Sequence, residues 1–405
     1  MTHGLRPDGH VLFATRIVRM FAYGFLSVVL VLYLADVGLS DTVIGVLLSL
    51  TLLGDTVISL WVTTGADRIG RRRMLILGAL LMLFAGAIFA FTNNIILLII
   101  AAIIGVISPS GYEVGPFLAI EQAALTQTLP DERRTGIFAW YNLIGSFATA
   151  LGALAGGALP HFLQWAGTSS LDSYRAVVLA YAAMGVVLAL MFMRLSNAVE
   201  ASKTNAPIPH TRFGLHRSRG VVLKLSALFG LDAFAGGFVM QSIVAYWFHI
   251  RFGVETATLG GIFFGANLLA GVSALAATWV ARKIGLVNTM VFTHLPSNVL
   301  LILVPLMPNL PLAIAVLLLR FSISQMDVPT RQSYTMAVVA PDERSAAGGV
   351  TGIARTVGAA LSPALAGVFI SSPVLMSAPF LVAGGLKVLY DLLLFRSFRS
   401  LRTAT

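Results

Sequence analysis

Cysteine is absent from this 405-residue sequence, and charged residues are scarce. The lack of cysteine excludes disulfide bonds, thiolate nucleophiles and cysteine-ligated metal sites. Charged residues form only 11% of the chain and apolar residues 57%, with a mean hydropathy of +0.88. Soluble domains are about 25% charged and about 45–50% apolar, so this composition excludes an ordinary water-soluble enzyme and a disordered chain. It is typical of a helical protein that crosses a membrane several times.

Long apolar segments recur through the whole sequence. Because a helix that crosses a bilayer needs about 20 apolar residues, each of these segments is a candidate membrane span. We therefore predict an all-α membrane protein with twelve transmembrane helices, numbered span 1 to span 12. The spans are predicted at residues 11–36, 42–64, 74–92, 95–127, 135–160, 174–194, 220–248, 257–281, 285–307, 310–339, 345–370 and 374–396.

Lysine and arginine are distributed unevenly between the segments that connect the spans. Of the 27 basic residues, 19 lie in one alternating set of segments, two in the other set and six within spans. Because basic residues favour the cytoplasmic side, we expect a multi-pass protein of the inner (plasma) membrane with both termini in the cytoplasm. These 19 basic residues are scattered over seven segments that face lipid headgroups, which accounts for the net charge of +10 without nucleic acid. Membrane lipid is therefore an expected partner, and nucleic acid is not.

Short motifs recur at corresponding places in the two halves of the chain. The sequence Pro-Asp-Glu-Arg at 130–133 returns at 341–344, each time between the fourth and fifth spans of a half. The sequence ADRIG at 66–70 has a weaker counterpart in ARKIG at 281–285, between the second and third spans. Several matches at equivalent positions indicate the duplication of a six-span unit.

A polar linker divides the chain near its midpoint. Residues 196–219 contain two prolines and no apolar run. We predict an N-terminal six-helix bundle at 1–195, a cytoplasmic linker at 196–219 and a C-terminal six-helix bundle at 220–405. Duplicated bundles of this kind are expected to be related by a pseudo-twofold axis along the membrane normal.

The loop between spans 2 and 3 carries the most specific motif of the sequence. The segment Thr63–Leu75 reads TTGADRIGRRRML. It resembles the signature of the major facilitator superfamily, G-x-L-a-D-R-x-G-R-[RK]-x-x-l, which lies in the cytoplasmic loop between helices 2 and 3. Thr63 replaces the leading Gly and Gly65 replaces the Leu, while the charged core is intact. Together with twelve spans and the internal repeat, the resemblance covers essentially the whole chain and implies a transporter, not an enzyme.

The resemblance implies a gating role for the loop. Its residues would hold the two halves in the outward-facing state and release them as the halves rock. Gly70 permits a tight turn between two helices, and Asp131 and Glu132 are candidate partners for the nearby arginines. The gating residues implied in this way are Asp67, Arg68, Gly70, Arg71 and Arg72.

Small residues in span 5 form a second, weaker pattern. They resemble the antiporter signature G-x3-G-P-x2-G-G of the same superfamily, with Ala148 and Ala153 in place of its first Gly and its Pro. The equivalent stretch of span 11 does contain a proline. Small residues at this spacing also permit close packing of helices, so antiport and packing both remain open. The residues of this pattern are Gly152, Gly156 and Gly157 in span 5 and Pro363 in span 11.

Ionisable residues occur deep inside several spans, where they are costly and mark cavities or ion pairs. The resemblance implies that spans 1, 4, 7 and 10 line a central cavity in which Arg19, Glu113, Asp232 and Arg320 converge. The candidate substrate and proton pathway consists of Arg19, Asp55, Glu113, Glu121, Asp232, Arg320 and Asp327.

Each of these groups also has a structural interpretation. Glu113 lies beside Pro109 and Pro116, where span 4 is expected to be broken, and it is the first candidate for a titrating or substrate-contacting group. Asp55 is either part of the pathway or a hydrogen-bond partner between helices. Asp232 either lines the pathway or forms a fixed ion pair with Arg320.

Three further ionisable residues are expected outside the pathway. Arg16, only about a turn into span 1, is expected to reach the membrane surface. Lys387 and Asp391 are four residues apart in span 12 and are expected to pair with each other.

The sequence thus predicts a secondary active transporter that moves a small organic solute by alternating access. Proton-coupled efflux is the leading hypothesis, and a solute uptake symporter or facilitator of the same fold is the alternative. The sequence contains no nucleotide-binding loop of the P-loop type, so the proton gradient is the expected energy source. No cofactor or metal is expected, and a monomer suffices because two halves already supply a moving interface.

Overall fold

Helices make up the regular structure of the described chain, which confirms the all-α prediction. The computed structural model describes residues 7–128, 131–200, 216–340 and 343–398. Sixteen α-helices are present in these ranges. They are α1 (Pro7–Ser27), α2 (Leu30–Asp36), α3 (Asp41–Ile69), α4 (Arg71–Phe91), α5 (Ile95–Ile104), α6 (Phe117–Thr128), α7 (Asp131–Trp165), α8 (Ser170–Met193), α9 (Arg219–Gly237), α10 (Gln241–Phe252), α11 (Thr256–Ile284), α12 (Leu286–Leu303), α13 (Leu310–Phe321), α14 (Asp327–Val338), α15 (Arg344–Ile370) and α16 (Ala378–Phe398).

The helices account for the twelve predicted spans. Within the described ranges, nine helical stretches are long and apolar enough to cross a membrane. Span 1 is a tenth, formed by α1 and α2 with a bend of 44° between them. Spans 4 and 10 each consist of two shorter helices, α5 with α6 and α13 with α14, separated by irregular backbone.

Capping residues and glycines define where many of these helices begin. The Asn94 side chain accepts a hydrogen bond from Ile96 N at 2.9 Å, and Asn309 accepts one from Leu312 N at 3.1 Å, so each satisfies an N–H group that lacks an intrahelical partner. Gly70 and Gly285 have φ angles of +118° and +84° and lie between α3 and α4 and between α11 and α12. These are the two positions that the ADRIG and ARKIG motifs predict to be equivalent.

The chain forms two compact units. The first contains residues Met1–Thr204 together with Gln241–Phe264, and the second contains Asn205–Met240 together with Gly265–Thr405. This division follows packing, so α10 and the start of α11 group with the N-terminal helices. The predicted division at 196–219 follows the internal repeat and remains a prediction.

The same helix pairs form in each unit. In the first unit α1 packs on α7 and α4 packs on α8, and in the second α9 packs on α15 and α12 packs on α16. Glycine makes the α1–α7 contact close, because a Cβ atom on Gly152 or Gly156 would overlap the carbonyl oxygen of Phe21 or Phe25. Gly157 approaches the backbone at Thr256 in the same way. Pro363 lies inside α15, in the equivalent of α7.

Candidate functional site

The break between α5 and α6 is an ordered turn inside the first unit. It contains Gly111 and Gly115, whose φ angles of +73° and +81° favour glycine because other residues are strained there. The Ser108 hydroxyl donates a hydrogen bond to the carbonyl oxygen of Tyr112 at 2.6 Å. The break predicted from the prolines of span 4 is therefore confirmed.

Side chains from three neighbouring helices hold the backbone of this break. Tyr23 on α1 donates to the carbonyl oxygen of Val114 at 3.0 Å, and Tyr181 on α8 donates to that of Val106 at 2.7 Å. Asp55 on α3 accepts a hydrogen bond from the Gly115 N–H at 2.7 Å. Since irregular backbone in a membrane must find partners for its polar groups, these three contacts stabilise the break.

Arg19 joins two carboxylates in a cluster within the first unit. Its Nη2 donates to Glu121 Oε2 at 2.7 Å, and its Nε lies 3.0 Å from Glu113 Oε1. Arg16 also binds Glu113. Arg16, Arg19, Glu113 and Glu121 are called the first-unit cluster below. Its two formal positive charges face two formal negative charges, so it is electrically balanced when all four are ionised.

The members of the first-unit cluster differ in how far solvent reaches them. The side chains of Arg19 and Glu121 are fully buried, while that of Glu113 is 17% exposed. Arg16 is buried, with its guanidinium 4.8 Å from the Tyr141 ring centroid. The expectation that Arg16 reaches the membrane surface is therefore wrong, because a carboxylate and an aromatic face inside the unit bind it.

Two polar side chains that the sequence analysis did not single out complete the environment of Glu121. Thr15 donates to Glu121 Oε1 at 2.9 Å, and Tyr141 donates to Glu121 Oε2. Thr15 lies four residues before Arg19, a spacing that places both on one face of α1 and was a usable signal. Tyr141 lies in another helix, α7, so nothing in its local sequence points to Glu121.

A second buried cluster lies within the second unit. Asp232 on α9 binds Lys387 Nζ at 2.5 Å and Arg331 Nη1 at 3.1 Å. Arg331 also contacts Asp327, one turn before it, at 3.2 Å. Asp232, Asp327, Arg331 and Lys387 are called the second-unit cluster below.

The second-unit cluster differs from two sequence-based expectations. Lys387 binds Asp232 on α9, so the predicted local pair with Asp391 is wrong. Asp391 instead contacts His294 Nδ1 at 2.8 Å and accepts a hydrogen bond from Asn298 Nδ2 at 2.9 Å. The cations that bind Asp232 come from α14 and α16, in place of the expected Arg320.

Arg320 is the last residue of the predicted pathway to be located in the structure. Arg320 lies near the end of α13 with its guanidinium 4.9 Å from the centroid of the Phe321 ring. The structure brings Arg19, Glu113 and Glu121 together in one unit and brings Asp232 and Asp327 together in the other. Convergence of the two sets in a common cavity remains a prediction.

The predicted gating loop is anchored by a glutamate that the sequence analysis did not identify. Glu200 accepts hydrogen bonds from the main-chain N–H groups of Arg71 at 2.7 Å and Arg72 at 3.3 Å, at the start of α4. A carboxylate is favourable there because the start of a helix carries partial positive charge. Gly70 forms the predicted turn and the Arg68 side chain is exposed.

One predicted gating residue, Asp67, and the two candidate partners, Asp131 and Glu132, lie outside the described side chains. The guanidinium of Arg71 is buried and donates to the carbonyl oxygens of Ala123 and Val199 at 3.2 and 3.3 Å. The gating role of the loop remains a prediction.

The repeated Pro-Asp-Glu-Arg motif supplies a carboxylate that holds the segment before α9. Glu343 accepts hydrogen bonds from the main-chain N–H groups of Arg217 and Ser218, each at 2.8 Å, and from that of His216. Hydrogen bonding by the Ser218 side chain and by these N–H groups lowers the pKa of Glu343 to about 2.

Two proteins related in sequence are informative. The chain is 32% identical over 417 residues to an uncharacterized membrane protein of Saccharomyces cerevisiae, which covers 96% of this chain and 93% of the relative. It is also 26% identical over 275 residues to the purine ribonucleoside efflux pump NepI of Escherichia coli, covering 66% of this chain and 64% of that protein.

Solved structures resemble the whole fold. A bacterial homologue of the human lysosomal transporter Spinster, inward-facing and occupied, has a TM-score of 0.75 at 16% identity over 97% of this chain and 96% of its own. The nucleoside transporter NupG has a TM-score of 0.74 at 13% identity over 98% of this chain and 100% of its own. The sequence matches the profile of the Major Facilitator Superfamily over residues 12–363. This match covers most of the sequence, and the chain therefore belongs to the Major Facilitator Superfamily, as its motifs predict.

Proposed function

We propose that this protein is a secondary active transporter that exports a small polar organic solute in exchange for protons. Its fold and family are those of transporters, not of enzymes. In this proposal the two halves alternate between states open to either side, and the proton gradient supplies the energy. The protein acts as a monomer in the inner (plasma) membrane, with both termini in the cytoplasm.

The observation that carries the proposal is the first-unit cluster beside a broken span. Glu113 lies in the break itself, is 17% exposed and contacts two arginines. A carboxylate next to guanidinium groups offers acceptors and donors to a polar solute, whereas the fully buried Glu121 is occupied by Arg19, Thr15 and Tyr141. We therefore assign substrate contact to Glu113 and Arg16, and a supporting role to Arg19 and Glu121.

The related proteins suggest which solutes to test first. One relative is named as a purine ribonucleoside efflux pump, and its similarity to two thirds of this chain makes purine ribonucleosides the first compounds of a panel. A ribonucleoside offers several hydroxyl groups and ring nitrogens, which suit a site with both guanidinium and carboxylate groups. Efflux is proposed on the same ground and on the small-residue pattern of α7.

The proposal is tested with purified protein in liposomes under an imposed pH gradient. Labelled inosine, adenosine and a panel of sugars and amino acids are offered, and accumulation against a concentration gradient is measured with movement of protons. We expect exchange of solute for protons and an increase in KM for Glu113→Gln, because the variant loses a charged acceptor. Asp172→Asn, at an exposed ion pair with Arg175, is the matched control and is expected to keep the wild-type KM.

Three outcomes contradict parts of this proposal. Movement of solute and proton in the same direction identifies an uptake symporter, and solute movement without protons identifies a facilitator. An unchanged KM for Glu113→Gln removes that residue from the substrate site.

A further inference from the structure

Asp55 differs from the other carboxylates in the predicted candidate pathway. Within the described ranges, Glu113, Glu121, Asp232 and Asp327 each contact an arginine or lysine side chain. The hydrogen-bond partners of Asp55 in the described residues are the Gly115 N–H at 2.7 Å and the Ser59 hydroxyl at 3.3 Å, and neither carries a charge. Asp55 is nevertheless only 8% exposed.

Within the described ranges, no ion pair joins Asp55 to an arginine or lysine side chain. Asp55 exerts an electrostatic effect on Tyr23 on α1 and Tyr181 on α8, both of which donate to main-chain carbonyls. Helix α5, which packs on α3, consists of isoleucine, leucine and alanine. An ionised carboxylate is costly in such a place, and uptake of a proton removes that cost.

The charged residues on the other helices packed on α3 are either far from Asp55 or bound in ion pairs. Asp36 ends α2, and Arg71, Arg72 and Arg73 begin α4, so both groups face the ends of α3. Asp55 lies about 20 Å along the helix from either end, at about 1.5 Å per residue. Glu121 on α6 is bound by Arg19, and Glu113 in the break is bound by Arg16 and Arg19.

A proton on Asp55 has a direct effect on the break. The bond from Gly115 N–H to an ionised carboxylate is about twice as strong as one to a neutral acceptor, so protonation weakens it. Gly115 is two residues after Glu113 in the same turn. Loosening that turn changes the position of the Glu113 carboxylate relative to Arg16 and Arg19.

From this arrangement we infer that Asp55 is the proton-binding site of the transporter and that its hydrogen bond to Gly115 transmits proton binding to Glu113. The inference rests on the proposed function. Glu113 then contacts the solute, and Asp55 carries the proton. The only covalent change is an O–H bond on the carboxylate, formed with a proton from one side of the membrane and broken on the other.

Transport by an Asp55→Asn variant tests whether Asp55 carries the proton. In liposomes, with the solute that the wild-type protein moves, the variant is expected still to exchange labelled for unlabelled solute, because the amide oxygen can still accept the hydrogen bond from the Gly115 N–H. It is expected to lose accumulation driven by a pH gradient, because the amide cannot take up and release the proton. Ser59→Ala, which removes a hydrogen bond but keeps the carboxylate, is the control and is expected to retain accumulation. Accumulation by Asp55→Asn equal to that of the wild type overturns the inference.

A spectroscopic measurement separates this inference from the proposed function, because it needs no solute. Infrared difference spectra of the protein in lipid, between acidic and alkaline pH, are expected to contain the carbonyl band of a protonated carboxyl group. Asp55→Asn is expected to lose that band, and Asp55→Glu to keep it with a shifted pH midpoint. A band that persists in Asp55→Asn, or a midpoint unmoved in Asp55→Glu, overturns the inference. A wild-type protein that has the band but moves no solute with protons refutes the proposed function alone.

Discussion

Arg19 is the cation that connects the carboxylates of the first-unit cluster, and its removal has a calculable cost. Its guanidinium contacts Glu121 at 2.7 Å and Glu113 at 3.0 Å, in a fully buried position. Arg19→Met keeps an unbranched apolar stem but leaves one carboxylate without a cation. Removing one partner of a buried ion pair costs about 3–5 kcal/mol, so we expect Arg19→Met to lower the free energy of unfolding by about that amount.

Thermal unfolding of the purified protein in detergent, followed by tryptophan fluorescence, measures this effect. At about 2–4 °C per kcal/mol for units of this size, the melting temperature is expected to fall by about 6–20 °C. Arg19→Met combined with Glu121→Gln leaves Glu113 paired with Arg16 and restores the balance of charge. The double variant is expected to recover about 1–3 kcal/mol relative to Arg19→Met, as is usual for contacting residues.

The control for Arg19→Met is the same substitution at an exposed pair. Arg175 lies 3.3 Å from Asp172, with side chains 31% and 59% exposed, and Arg175→Met is expected to cost less than about 1 kcal/mol. If Arg19→Met were as stable as Arg175→Met, or if the double variant recovered nothing, the assignment of a stabilising ion pair to Arg19 would be refuted.

Three further predictions concern the packing and the charges of the fold. Gly156→Ala places a Cβ atom onto the carbonyl oxygen of Phe25 and is expected to lower the free energy of unfolding by about 1–3 kcal/mol or more. Gly349→Ala has open space around it and is expected to raise that free energy by up to about 1 kcal/mol. Gel filtration and the melting temperatures of the two variants test the difference. Lys387→Met is expected to lower the free energy of unfolding by about 3–5 kcal/mol. Addition of Asp232→Asn is expected to restore part of that stability, whereas addition of Asp391→Asn is not. A loss of only about 0.3–0.5 kcal/mol would instead fit a local pair within one helix. Glu343 has a pKa lowered to about 2, below its unfolded value of about 4.3, so its stabilisation is present above about pH 4.3 and is lost as the pH falls toward 2. The melting temperatures of wild type and Glu343→Gln should therefore converge in acid, and a difference that is independent of pH contradicts the assignment.

The sequence was sufficient to predict the class of fold, and the reason is physical. A helix that crosses the hydrocarbon core must be long and apolar, and the loops on the cytoplasmic side are rich in basic residues. The number of spans and their orientation can therefore be predicted from composition and spacing. Even the interruption of span 4 was predictable, because Pro109 and Pro116 cannot continue a helix. The turn at Gly70 follows from the same local rules, since its φ of +118° favours glycine.

Pairing between helices was only partly predictable. The i to i+4 spacing of Lys387 and Asp391 indicated a local pair, but Asp232 on α9 lies within 2.5 Å of Lys387 Nζ. Depth in the membrane indicated that Arg16 reaches the surface, yet Glu113 binds it inside the unit. Rotation of each helix about its axis decides such contacts, and a single sequence contains little information about rotation.

The anchoring of the α5–α6 turn has a consequence for how solute preference can diverge. The three anchors of the turn bind main-chain atoms: Tyr23 binds Val114, Tyr181 binds Val106 and Asp55 binds Gly115. These hydrogen bonds do not depend on which side chains the turn carries. A change of side chain at Val114 or Tyr112 leaves these three hydrogen bonds possible, because none of them uses a side-chain atom of the turn. Directed evolution of new solute preferences is therefore better aimed at these positions than at the three anchors.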